Sequence, residues 1–155
     1  MRSLLAVATV FTTSAVVAQC PFTTVVTQPH GVGCDPTFFI HPTLTGALNV
    51  PACQLQLTVG AFAGCCGTVL VGTLLALGDQ PLSVPVPQLG ANCTLLVQPI
   101  VLLFVPSTTG ATFSLPLPTV LPPLTVEAQG GVLYFTTIGA SFDFALSQGL
   151  RVTMS

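Results

Sequence analysis

Charge is what this chain lacks. Asp, Glu, Lys and Arg together make up 4% of its 155 residues, against about 25% in an ordinary soluble domain. There is no lysine, and Arg2 and Arg151 are its two basic side chains besides histidine. A formal net charge of −2 with no basic cluster cannot neutralise a phosphate backbone, which excludes nucleic-acid binding. Tryptophan is absent and Tyr134 is the single tyrosine, so a glycan-binding surface would have few aromatic platforms. Beyond the first twenty residues, helix-sized runs free of proline and glycine are missing too. Fourteen prolines and fourteen glycines are spread through the chain, too densely for long helices to survive between them.

Groups able to do chemistry are equally scarce. His30 and His41 sit beside Pro29 and Pro42, in loop or edge contexts. Asp35, Asp79, Glu127 and Asp143 fall in four separate segments, with no local carboxylate pair for glycoside hydrolysis and no D-x-D pattern for calcium. GASFD around Ser141 is not the G-x-S-x-G elbow. His30, Cys34 and His41 match no standard zinc spacing. No catalytic, cofactor-binding or metal-ligating residues are therefore expected, no cofactor is implied, and the chain reads as non-enzymatic. A secreted hydrolase ranks third among the functional readings.

What is present is hydrophobicity, at 51% of residues. Disorder needs low hydrophobicity, so this chain is expected to fold. Its first eighteen residues, MRSLLAVATVFTTSAVVA, carry one positive charge at Arg2, an apolar run from Leu4, and small residues up to Ala18. That is the pattern of a secretory signal peptide. Thr12, Thr13 and Ser14 interrupt the run, which falls short of the roughly 20 residues a spanning helix needs. Cleavage after Ala18 would leave residues 19–155 as one domain and remove Arg2, taking the net charge to −3. Gln19 before Cys20 does not suit lipid attachment.

Six cysteines, Cys20, Cys34, Cys53, Cys65, Cys66 and Cys93, in an exported chain favour disulfides over zinc. Spacing alone does not select among their pairings. The adjacent Cys65 and Cys66 are more easily satisfied by two different partners than by each other.

Alternation of apolar and polar residues dominates. Leu55, Leu57 and Val59 alternate with Gln54, Gln56 and Thr58; Leu82, Val84 and Val86, then Phe113, Leu115 and Leu117, then Leu150, Val152 and Met154 repeat the pattern. Each predicts a half-buried strand. VLVGTLLAL, Val69 to Leu77, between two glycines predicts a central strand, and the phenylalanines fall mostly at core parity. Turns are predicted at Gly78 to Pro81, Leu89 to Asn92, Ser107 to Gly110, Gln129 to Gly131 and Ser147 to Gly149. Pro85, Pro87, Pro116 and Pro118 belong on edges or crossings. The fold class is all-β, a disulfide-stabilised antiparallel β-sandwich of Ig-like or jelly-roll-like kind. CTLLVQPIVLLFVP, Cys93 to Pro106, is too short and too interrupted for a membrane span. It predicts strands at Thr94 to Val97 and Ile100 to Val105, the second either buried on both faces or leaving one apolar face wet.

The ordered set GVGC at Gly31 to Cys34, VLVGTLLALGDQPLSVPVPQLGANCTLLVQP at Val69 to Pro99, ATFSLPLP at Ala111 to Pro118, and the terminal TVEAQG and FALSQGLRVTM resembles a module of secreted planctomycete-type bacterial proteins. The resemblance spans most of the chain after Gly31. It implies a small all-β secreted module without an established enzymatic role, and a recurrent disulfide of Cys34 with Cys93, leaving Cys20, Cys53, Cys65 and Cys66 for the others. Extra cysteines depart from that module. A hydrophobin would carry eight cysteines in a different pattern. The expectation is an extracellular or cell-surface protein of structural or adhesive role in the envelope or matrix, with self-association or an envelope protein or polysaccharide as partner. The alternative is a binding module for polysaccharide or an envelope protein.

Overall fold

The computed structural model describes residues 20–34, 42–61, 67–89, 92–118, 123–137 and 139–155. The expected signal peptide at 1–18, Asp35, His41, the Cys65-Cys66 pair and the middle of the turn at Gly90 and Ala91 lie outside the described residues.

Ten strands follow one another: β1 (Val25–His30), β2 (Thr43–Asn49), β3 (Gln54–Gly60), β4 (Thr68–Gly78), β5 (Pro81–Pro85), β6 (Thr94–Val97), β7 (Val101–Pro106), β8 (Gly110–Pro116), β9 (Leu124–Thr136) and β10 (Ser141–Met154). All pairings are antiparallel. A five-stranded sheet in the order β1-β10-β9-β4-β7 faces a three-stranded sheet β2-β3-β8, and β5-β6 forms a separate hairpin. This is the expected antiparallel sandwich. Among the described residues the only helical element is a 3₁₀ turn at Pro87–Leu89, and none is long and apolar enough to cross a membrane.

The core lies between the two sheets. Leu55, Leu57 and Val59 of β3 are buried, as their alternation requires, and they belong to the same cluster as Leu75, Ala128, Val132, Leu150 and Val152 of the large sheet. Phe22, ahead of β1, is fully buried in that cluster. Strand prolines sit where a missing donor does least harm: Pro29 in edge strand β1, Pro106 in edge strand β7 and Pro116 in edge strand β8.

Two expected turns are instead strand. Gln129-Gly130-Gly131 lies inside β9, and Ser147-Gln148-Gly149 inside β10. The β9–β10 ladder runs through Gly131 opposite Leu146 and resumes at Gln129 opposite Gly149, so Ser147 and Gln148 form a bulge rather than a reversal. A second irregularity in β4 lies between Leu70 and Gly72. Each switches which parity faces the core. Before the β10 bulge Ala145 points inward; after it Leu150, Val152 and Met154 do. Phe142, Phe144 and Leu146 are therefore sent to the opposite face, against the expectation that the phenylalanines are mostly core.

Cys34 is bonded to Cys93 and Cys20 to Cys53. The first bridge fastens the segment after β1 to the start of β6, and the second ties the chain before β1 to the turn before β3. Cys34 and Cys93 are 59 residues apart, and closing so long a loop restricts the unfolded chain strongly. Replacing both by alanine should lower unfolding free energy by about 3 kcal/mol, read as a lower urea midpoint.

Candidate interaction surface

The outer face of the five-stranded sheet, turned away from the core, is divided in two. Over its lower half lies the β5-β6 hairpin. Gln129 of β9 pins it there. Its Oε1 accepts from Leu96 N at 2.9 Å, and its Nε2 donates to Thr94 O and Ser147 O, both at 3.0 Å. Ser147 Oγ accepts from Gly130 N. Thr94 N donates to Gly33 O and Cys34 N to Leu146 O. Bulge, hairpin and disulfide thus form one connected unit, in which the buried side chains of Gln129 and Ser147 have their partners. Gln129 was read from the sequence as a turn residue. Its signal was the alternation in TVEAQGGVLYF, which places Glu127 and Gln129 together on one strand face.

Beside Gln129 the same cover closes over a carboxylate. Glu127 is 1% exposed; its Oε1 accepts from Arg151 Nε at 2.6 Å, and its Oε2 lies 3.0 Å from His30 Nε2. The three residues join β9, β10 and β1. Gly149 is required beneath them, since a Cβ there would run into the His30 ring. Both carboxylate oxygens are occupied, which makes Glu127 a fastener between strands.

Of the candidate residues for chemistry, the structure brings His30 against Glu127 and, separately, Ser141 against Asp143. Ser141 Oγ donates to Asp143 Oδ2 in an exposed contact. Asp79 lies in the exposed turn between β4 and β5. Cys34, one of the zinc candidates, is held in its disulfide. Among the described residues no three of His, Cys, Asp and Glu form a group able to hold a metal.

The upper half of the outer face is bare and apolar. Val69, Phe135 and Phe142 stand opposite one another across β4, β9 and β10, with the two rings 5.1 Å apart and Phe142 63% exposed. Phe104 of β7 lies over Gly72, where a Cβ would collide with its ring. Where the bare half meets the hairpin, a cavity of about 180 Å³ is lined by Leu74, Ala76, Leu95, Leu102, Phe144 and Leu146 among others. The face continues onto the sheet edge. Ile100 and Leu102 are 67% and 66% exposed, Phe104 is 49%, and Val101 and Val105 also face solvent. Only Leu103 of β7 packs against the core. The Ile100 to Val105 run is thus neither buried on both faces nor wet on one: it is an apolar edge exposed on both.

Comparison of the chain with protein-family models, curated proteins and solved structures returns no match.

Two outcomes follow from this geometry. Arg151 is 44% exposed while its partner is buried. Arg151→Met should therefore cost about 2 kcal/mol, at the low end for breaking a buried pair because water screens the arginine. Adding Glu127→Gln should recover part of that loss in urea titrations, since no buried charge is then left. Tyr134 is 4% exposed, and burial, then the Asp143 carboxylate, raise its phenol above the ordinary value of 10.0. Its contribution to stability is complete below pH 10 and is lost as pH rises through the higher folded value. As the single tyrosine in a chain without tryptophan, it can be followed by phenolate absorbance. The native midpoint should lie above that in denaturant, and Tyr134→Phe should flatten the alkaline fall in stability.

Proposed function

We propose that this is an exported, non-catalytic structural or adhesive protein of the cell envelope or extracellular matrix, which associates through the bare outer face and β7 edge. The observation that carries this reading is the continuous apolar surface running from Phe142 and Val69 to Leu102 and Ile100, on a molecule with almost no charge. Contiguous exposed apolar patches on soluble proteins mark contact sites. Export is supported by the two disulfides, which persist in oxidising compartments. The polar groups nearest the cavity are already satisfied within the protein, as Gln129 illustrates. This favours contact with apolar surface over hydrogen-bonded recognition of a sugar.

Adsorption to alkyl-grafted surfaces and to cell-envelope fragments tests the reading. The intact protein should be retained on both at moderate salt. Phe142→Gln combined with Val69→Gln should lower retention several-fold without lowering the unfolding midpoint. Protein that stays in free solution on both supports would overturn the proposal.

A further inference from the structure

We infer that β7 is a self-pairing edge: two copies of this chain join antiparallel along Val101–Pro106, Leu102 of each opposite Phe104 of the other. The inference names the partner of the proposed contact surface and rests on that reading.

The phase of the ladder decides which groups are free. Ser107 N donates to Val71 O at 3.2 Å, and the register pairs Thr73 with Val105, Leu75 with Leu103 and Leu77 with Val101. In an antiparallel pair hydrogen-bonded positions alternate, so the odd residues of β7 bond to β4. The N–H and C=O groups of Leu102 and Phe104 point away from it. Among the described residues no strand lies on that side. Ile100 N is taken by Leu77 O, and Pro106 has no N–H. The free donors of the edge are therefore those of Leu102 and Phe104, one residue to either side of Leu103. A twofold axis through Leu103 sets Leu102 against Phe104 of the second copy, where the pair exchanges both N–H···O bonds and the symmetry repeats the exchange. Shifting the register by two residues would oppose Phe104 to Ile100, whose donor is already used.

The edge also lacks what keeps other edges apart. Natural edge strands carry lysine, inward charges or proline within the strand. β7 has no charged residue, its one proline, Pro106, stands at its last position with Pro99 ahead of the strand, and the chain has no lysine to guard it. Self-association meets little electrostatic opposition at a net charge of −2. Five large apolar side chains from Ile100 to Val105 are exposed. They supply roughly half of the ~800 Å² per partner of a standard interface, which places the dimer among weak, concentration-dependent ones. Because the twofold axis stands perpendicular to the sheet, both outer faces lie on the same side. Phe104 of the second copy then sits beside Leu102 at the rim of the cavity, and the apolar face becomes continuous across both copies.

Sedimentation of the disulfide-intact protein over a wide concentration range tests this. The expected result is a reversible monomer–dimer equilibrium, with amide protons of Leu102 and Phe104 gaining exchange protection as concentration rises. Leu102→Pro removes an outward donor without touching the β4 ladder and should abolish the dimer. Leu102→Lys, which places a charge on the edge and keeps the backbone donor, should do the same if the proline variant fails to fold. Phe142→Gln should leave the dimer intact. A chain that is monomeric at its highest soluble concentration, or a folded Leu102 variant that still dimerises, overturns the inference. A monomer that still adsorbs to alkyl surfaces sinks self-pairing alone and leaves the adhesive reading standing. A dimer that does not adsorb does the reverse.

Discussion

The bulge between Leu146 and Gly149 is the constraint from which the two faces of the large sheet follow. Phe142, Phe144, Leu146, Leu150, Val152 and Met154 all occupy even positions, and an unbroken strand would aim all six at one face. Ser147 and Gln148 together stand opposite the single Gly130, and that one extra residue reverses the parity. The last three enter the core and the first three are turned outward. The bulge leaves backbone groups without ladder partners, a cost that must be met locally. Gln129 meets it by donating to Ser147 O, and Ser147 Oγ accepts from Gly130 N. With its other bonds Gln129 holds β6, so the same side chain that completes the bulge fixes the hairpin over one half of the outer face.

That cover explains where the scarce charge goes. Arg151 is the one Lys or Arg among the described residues, and it is engaged with buried Glu127. The surface is left to hydroxyls. Thr58 and Thr112 are bonded across β3 and β8 at 2.9 Å, Thr125 and Thr153 across β9 and β10 at 3.3 Å, and Thr24 and Ser155 at 2.6 Å. Such pairs stabilise neighbouring strands as cross-strand ion pairs do, but unlike ion pairs they give no repulsion toward another copy. A protein fastened in this way is held together well and kept apart from its neighbours poorly.

Strands with strict alternation were legible in the sequence because one face had to be apolar. Gln54–Gly60 is an example, while Thr94–Val97 was legible as an apolar run stopped by Gln98-Pro99, which separates β6 from β7. β9 and β10 were broken at their glycines because Gly130-Gly131 and Gly149 carry turn chemistry locally. Their reason for being glycine is tertiary. A Cβ at Gly130 would press on Val59 of the opposing sheet, and one at Gly149 on His30. The interaction face was hidden for the same reason. Nothing in the local pattern of Phe142 or Phe104 separates them from core residues, since exposure was decided by a bulge in one case and by position at the sheet edge in the other.

Edge strands also set how far association can go. The large sheet ends in β1 on one side and β7 on the other. β1 carries Pro29 within it and is closed at its start by Thr23 and Thr24, whose N–H groups donate to Ser155 O. Its side chains from Val26 to Pro29 are exposed, but it offers a broken row of donors. A β1-to-β7 contact would be head-to-tail, and repeating it would build an open filament. A β7-to-β7 contact is isologous and closes on itself. The short free run between Pro99 and Pro106 makes that closed pairing the one with matched donors and acceptors on both sides. The same edge that lacks gatekeeping charges is thus limited by its length and its prolines, so that exposure of five apolar side chains between Ile100 and Val105 is compatible with a finite assembly.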